Sequence, residues 1–476
     1  MKTYDLVVIG GGAGGLTAAV GAAQFDVSVA LIEKERQPGG DCLHTGCVPS
    51  KALIAAAKDL HTARKAAAAY GLQLTDDASY KEAYDRVQAA KATIQEHDDA
   101  DRLRDKGIDV YHGYGRFRDQ HHIAISDDEV IYGKRIVIAT GSRAAVPKID
   151  GLKDVDYLTN EDVFDMTALP SSLIVIGAGP VGLELSQAFA RLGSQVTVMV
   201  RGSKLLKRED ADIASTLQDL LSRELNFRFH TDVTKIEAAA EGRKRVYAKQ
   251  AGEEIVLEAD AILIAAGRTP NTDGLDLSLA GVACDGEHII VNKSLQTTVS
   301  HIYAVGDVLK AFPFTHAAGM EGKIVVANAV FGLRRKVSYT HVPWVTYTDP
   351  ELFHLGMTEE EARREHGDSI GVYKVNLDQV DRFITDQETH GLVKIITDRR
   401  GAILGAHAVG RGAGDWMQEA VFAKQFRHKL GSLSQVVHPY PAHSEALMKA
   451  SSQYWRQRLV RGWLPRLMKR YVKWFR

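Results

Sequence analysis

Two stretches of the chain share one pattern of apolar and polar positions: an apolar run, a glycine cluster, a mixed segment with helical spacing and a second apolar run. They are YDLVVIGGGAGGLTAAVGAAQFDVSVALIEKE (4–35) and SSLIVIGAGPVGLELSQAFARLGSQVTVMV (171–200). Short continuous apolar runs suit strands buried on both faces by crossover helices, so each stretch predicts strand, turn, helix and parallel strand. Gly10, Gly12 and Gly15 stand in G-x-G-x-x-G spacing, and Gly177, Gly179 and Gly182 repeat it 167 positions later. In such a turn the first glycine allows the tight bend, the second lets the backbone approach a pyrophosphate, and the third lets helix pack on strand. The pyrophosphate then meets the free amides of a helix N-terminus. An α/β fold with two Rossmann-like dinucleotide-binding domains follows.

The ends of the second strands differ. Glu33 closes the first unit where a carboxylate can bind a ribose hydroxyl pair, whereas the second unit runs into Arg201, Lys204, Lys207 and Arg208. That basic cluster favours the 2′-phosphate of NADPH over NADH; a solvated basic loop is the other reading. Two dinucleotide sites imply electron passage between a resident and an exchanged cofactor, for which FAD and a nicotinamide are the natural pair. IVIATGS (136–142) and ILIAAGRTPN (262–271) read as strands ending in glycine turns at Gly141 and Gly267, and IYAVGDV (302–308) places Asp307 just after a strand.

A length of 476 residues implies several domains, and three cysteines exclude a secreted disulfide framework. The N-terminus runs directly into a strand, so no signal peptide is expected, and no apolar run is long enough to span a membrane. Cys42 and Cys47 lie five apart in GGDCLHTGCVPSKALI (39–54), which passes from a glycine turn into a helix. No second cysteine pair or histidine cluster completes a zinc site, so no metal centre is expected. Two cysteines at a helix start beside a dinucleotide unit fit a redox dithiol with a depressed thiolate pKa. Cys284, in an apparent turn, reads as a partly buried, inert thiol.

Together these motifs resemble the class I pyridine nucleotide-disulfide oxidoreductases, the flavoprotein disulfide reductases that include dihydrolipoamide dehydrogenase, glutathione reductase and mercuric reductase. The resemblance extends over residues 1–450. It implies a disulfide between Cys42, the interchange thiol, and Cys47, the thiol facing the flavin. Lys51 then lies beside the flavin, Glu184 is its ion-pair partner, and Asp307 binds the flavin ribitol, with FTHAAGMEG (314–322) following as a flavin-contacting helix start. It further implies an FAD domain over 1–150 and 271–340, a nicotinamide domain over 151–270, a dimerisation domain over 341–453 and a homodimer. A basic tail, 454–476, follows.

The chain departs from lipoamide and glutathione reductases in HPYPAHSE (438–445). Glu445 is kept, but Tyr440 stands where those enzymes carry the acid/base histidine. A tyrosine is a poor base at neutral pH, so exchange with a small disulfide is expected to be slow. His438 and His443 flank the position and are candidate substitutes; for His438 a water-facing loop position is expected. A tyrosine here resembles mercuric reductase, yet the chain ends in KWFR, without that enzyme's C-terminal cysteine pair. The expected activity is mercuric-reductase-like transfer of electrons from NADPH through FAD and the dithiol to a small-molecule, disulfide or metal-ion acceptor, with dihydrolipoamide dehydrogenase or another disulfide reductase as the alternative. A flavin redox sensor or membrane-docked electron-transfer partner protein is the alternative from another class.

The formal net charge is −1, yet residues 455–476 contribute +8 and the remainder carries −9. In LPRLMKRYVKWFR (464–476), Leu464, Leu467, Met468, Tyr471 and Phe475 share a helical face, and Arg466, Lys469, Arg470, Lys473 and Arg476 occupy the rest. With Trp463 and Trp474, this basic amphipathic helix suits an anionic membrane surface. A helix packed on the protein with its charges solvated is the other reading. The expected location is cytoplasmic with peripheral membrane contact, and no nucleic-acid partner is expected because the body is acidic.

Overall fold

The computed structural model describes residues 1–74, 80–460 and 464–475. The chain divides into two compact units, Met1–Met199 with Thr231–Tyr339, and Val200–His230 with Thr340–Arg476.

The first unit contains both glycine-turn motifs. Thr3–Ile9 pairs in parallel with Val29–Glu33 and with Val130–Ile138, in the registers Val7↔Ala30 and Val7↔Ile136. Ile108–His112 extends the sheet beyond Val29–Glu33, and Ile302–Ala304 joins it on Val130–Ile138. Leu6, Val7, Val8, Leu31, Ile136 and Val137 are buried, as strands covered on both faces require. The helix Ala13–Ala23 packs on the helix Thr315–Ala329 through small residues: a Cβ at Gly322 would lie 2.7 Å from the Gly14 carbonyl oxygen. Residues far apart in sequence thus close one layer over the first sheet.

A second parallel sheet of this unit contains Ser172–Ile176, Gln195–Met199 and Ala261–Ile264. The helix Pro180–Leu192 starts on proline, which supplies helical φ where no amide partner is needed. It is buried through Leu183, Leu185, Ala188 and Phe189, and packs against the cysteine-bearing helix Cys47–Tyr70.

The second unit is built on a five-stranded antiparallel sheet in the order Pro343–Thr346, Glu351–Gly356, Ile403–Gly410, Leu392–Thr397, Gly371–Asn376. Phe353, Val375, Ile395, Leu447 and Tyr454 form part of its core. Lys394, only 2% exposed, is held by Asp210 at 2.8 Å, Asp212 at 2.6 Å and Glu359 at 2.6 Å. Three carboxylates around one buried ammonium offset the desolvation that an isolated charge would suffer. The helices Glu445–Val460 and Leu464–Phe475 end the chain. Among the described residues no helix is long and apolar enough to cross a membrane.

Candidate active site

The first glycine turn is shaped for a dinucleotide. Gly10, at φ +104°, lies so close to the neighbouring strand that a Cβ would fall 2.4 Å from the Ala139 carbonyl oxygen, and one at Gly15 would fall 1.9 Å from the Gly10 oxygen. Turn and helix therefore pack together, while a Cβ at Gly12 would meet only the Gly40 Cα at 3.8 Å, and at Gly141 nothing within 4 Å. Side-chain-free backbone beside a helix N-terminus is the cradle a pyrophosphate needs. Glu33 ends the second strand, and its Oε2 accepts the Gly11 amide at 2.6 Å while Oε1 accepts the Glu35 amide at 2.9 Å. Each carboxylate oxygen retains acceptor capacity for a ribose hydroxyl. The residues present fit FAD.

The second turn repeats the packing, with a Cβ at Gly182 falling 2.2 Å from the Gly177 oxygen and nothing within 4 Å of one at Gly179. Gly267, at φ +142°, ends the strand Ala261–Ile264 in its own turn. Arg201, Lys204, Lys207 and Arg208 are exposed, in the second unit.

Cys42 lies in the short helix Gly40–His44, and Cys47 is the first residue of the 24-residue helix that follows. Both are thiols, in hydrogen-bond contact with one another. The Cys42 thiol donates to Cys47, and the hydroxyl of Thr315, 3.3 Å from the Cys47 sulfur, and the Lys51 ammonium add to it. Against the burial that opposes ionisation, these hold Cys47 down to about 6, while the Cys47 thiolate and burial push Cys42 well above the usual thiol range. The helix N-terminus at Cys47 favours the same anion. Lys51, one turn on, pairs with Glu184 at 2.8 Å, and Glu184 is 5% exposed. The cysteine-bearing helix and the helix of the second glycine-turn motif are thereby joined through one ion pair.

Several site residues escaped the reading of the sequence. Arg268, next to Gly267, donates to the Ser142 hydroxyl at 2.7 Å and lies 3.1 Å from Asp41 and 3.5 Å from Asp307. Ser142 in turn donates to Asp307 at 2.6 Å. Asp307 therefore sits in a polar network that reaches the residue preceding Cys42. Glu321, inside FTHAAGMEG, accepts the Gly306 amide at 2.6 Å and the Tyr339 hydroxyl at 2.5 Å, and burial pushes it up to about 7. All four stand inside stretches the sequence had singled out, Asp41 in 39–54, Arg268 in 262–271, and Thr315 and Glu321 in 314–322, but their partners come from elsewhere in the chain.

In the second unit Tyr440 is exposed and donates to Asp381 at 2.8 Å, and that carboxylate pushes the phenol further up. Glu445 pairs with Lys449 at 3.1 Å, and its other oxygen is buried with no hydrogen bond from the described residues. His443 Nε2 lies 2.9 Å from Asp386, its ring rests on Phe383, and its Nδ1 makes no hydrogen bond within the described residues. His438 does not face water as expected: Glu419, at 2.8 Å, and the Val436 carbonyl engage both its nitrogens and draw it against the protein. Cys284 is exposed rather than partly buried, because the two-residue strand Cys284–Asp285 forms a hairpin with His288–Ile289. Among the described residues no cluster of His, Cys, Asp or Glu could hold a metal ion.

Comparison with known proteins places this geometry. Residues 4–322 match the model described as pyridine nucleotide-disulphide oxidoreductase, and residues 342–451 match the dimerisation domain of that group. Mercuric reductase of Lysinibacillus sphaericus is 35% identical over 455 residues, covering 94% of this chain and 82% of the relative. Dihydrolipoyl dehydrogenase 2, mitochondrial, of Arabidopsis thaliana is 34% identical over 466 residues, covering 94% and 89%. The solved Cu(II) complex of the HOCl-induced flavoprotein disulfide reductase RclA of Escherichia coli superposes with TM-score 0.85 at 28% identity, covering 95% of this chain and 100% of that one.

Proposed function

The chain belongs to the pyridine nucleotide-disulphide oxidoreductase family, and from that premise we propose that its Cys42/Cys47 pair passes electrons from NADPH to a soft metal ion. Enzymes of this family are FAD-dependent and draw their electrons from a pyridine nucleotide. Bound FAD supplies the chemistry that takes a hydride from NAD(P)H and delivers an electron pair to the disulfide. Gly10, Gly12, Gly15, Glu33, Gly141 and Asp307 hold that group; Gly177, Gly179, Gly182 and Gly267 serve the nicotinamide dinucleotide. The exposed Arg201, Lys204, Lys207 and Arg208 supply the preference for a 2′-phosphate.

One hydride and one proton convert the disulfide into two thiols, so the reduced pair carries two electrons outward. The observation that carries the reading is the asymmetry of the pair: Cys47 held as an anion beside the Lys51–Glu184 ion pair, and Cys42 kept protonated. Cys47 is the thiolate toward the flavin, and Cys42 meets the acceptor. Tyr440 favours a soft or borderline metal over a disulfide, because the dithiol re-forms its disulfide by giving two electrons to one Hg(II), or one electron to each of two Cu(II), and releases two protons, with no leaving thiolate that must be protonated. Relatives named mercuric reductase, and one solved as a Cu(II) complex, support the same class.

A second reading rests on the His443–Asp386 pair. A carboxylate-oriented imidazole with an open nitrogen is what a general acid/base needs, and it would restore disulfide reduction despite Tyr440. For location the reading is a cytoplasmic enzyme in peripheral contact with a membrane. Anaerobic NADPH oxidation by the FAD-loaded dimer, with Hg(II), Cu(II), lipoamide and oxidised glutathione compared, tests the acceptor. Metal turnover at least tenfold above either disulfide is expected. Faster disulfide turnover that collapses in His443→Asn would replace the first reading with the second. A single stoichiometric reduction, with no turnover of any acceptor, would mark a redox sensor.

A further inference from the structure

The helix Leu464–Phe475 takes no part in the redox chemistry, and its surface divides sharply. At 100° per residue, Leu467, Met468, Tyr471, Val472, Trp474 and Phe475 occupy one arc, while Lys469, Arg470 and Lys473 occupy the opposite one. Trp474 is 90% exposed, Phe475 71% and Tyr471 62%, and Leu467, Met468 and Val472 are exposed beside them. Trp463 and Arg476, assigned to the same surface from sequence, lie outside the described residues. So many large apolar side chains on three turns form a continuous patch of the kind that marks an interaction surface.

Charge identifies the occupant. Between Trp455 and Arg476 the sequence has eight basic residues and no acid, whereas the rest of the chain carries −9. An anionic bilayer attracts this helix and repels the acidic body, so the helix is the part of the chain that settles on it. Twelve residues rise about 18 Å, well short of the roughly 30 Å hydrocarbon core, so the helix can lie in the interface but cannot span it. A nucleic acid would use the cations and leave the aromatic arc in water; a lipid surface uses both.

We propose that Leu464–Phe475 is an in-plane anchor that docks the protein on bilayers rich in anionic phospholipid, with Met468, Tyr471, Val472 and Phe475 in the acyl boundary and Lys469, Arg470 and Lys473 among the phosphates. This deepens the peripheral location read above and makes the membrane partner specific. The anchor leaves the dithiol chemistry unchanged and brings it to acceptors that reach the protein at the membrane surface.

The test floats the FAD-loaded dimer with vesicles of phosphatidylcholine alone and of phosphatidylcholine with 30% phosphatidylglycerol. Binding to the anionic vesicles is expected to exceed that to neutral ones at least tenfold, to weaken in high salt, and to shift Trp474 emission to the blue relative to Trp474→Phe. Replacing Lys469, Arg470 and Lys473 by Gln should weaken anionic binding roughly a hundredfold. Tyr471→Asp with Phe475→Asp should abolish it while the basic charge remains. Equal binding to both vesicles, undiminished binding after deletion of residues 464–476, or tighter binding to RNA would overturn the proposal. So would a deletion that dissociates the dimer in a protein that never floats, because the helix would then be a subunit contact. NADPH-driven flavin reduction, expected unchanged in all tail variants, separates failure of the anchor from failure of the redox reading.

Discussion

At Cys47 the hydrogen bond from Cys42, the Thr315 hydroxyl and the Lys51 charge act together on one sulfur. The sign is definite: stabilising the anion lowers the pKa, so alkylation of the reduced protein rises with pH through about 6 and falls mainly on Cys47. Mass spectrometry of iodoacetamide adducts across pH 4–9 checks this. In Cys42→Ala the midpoint should move up toward the ordinary thiol value near 8.5. Lys51→Met should raise it by about one unit and leave Glu184 buried without that ammonium, so the variant should also unfold in less denaturant. A midpoint unchanged in both variants would remove the proposed cause. The cysteine pair, Lys51 and Glu184 were legible because each stands in a short motif. The contact of Thr315 with Cys47 was not, although Thr315 stands in FTHAAGMEG, since the two lie 268 positions apart and only folding brings them together.

The helices and strands repeat that lesson at larger scale. Both strand–turn–helix–strand units could be read directly, because apolar runs and glycine spacing are local signals. The joining of Ile302–Ala304 to Val130–Ile138 could not, since parallel pairing across more than 160 residues leaves no local mark. Nor did the pattern foretell a lysine inside a strand: Lys394 occupies a core position only because Asp210, Asp212 and Glu359 arrive from other elements. Lys394→Met should therefore destabilise the fold by about 3 kcal/mol, chiefly by leaving the Asp210 charge buried with two backbone amides but no ammonium, as read by urea denaturation. The glycine turns can be tested apart. Gly182→Ala places a Cβ 2.2 Å from the Gly177 oxygen, so it should weaken NADPH binding more than tenfold while the protein keeps its flavin. Gly15→Ala, with a Cβ 1.9 Å from the Gly10 oxygen, should instead be isolated without flavin.

For the whole molecule, the match of residues 342–451 to a dimerisation domain means that the working species is a homodimer, and sedimentation should give the mass of two chains. The central claim is that an electron pair from NADPH comes to rest on Cys42 and Cys47. Anaerobic titration of the FAD-loaded dimer with NADPH tests it most directly. One equivalent per subunit should produce long-wavelength thiolate-to-flavin absorbance and two alkylatable thiols, and Cys47→Ser should take up the same electrons with neither the band nor the thiol pair. Persistence of the band in Cys47→Ser, or reduction of the wild-type flavin without release of thiols, would contradict the account.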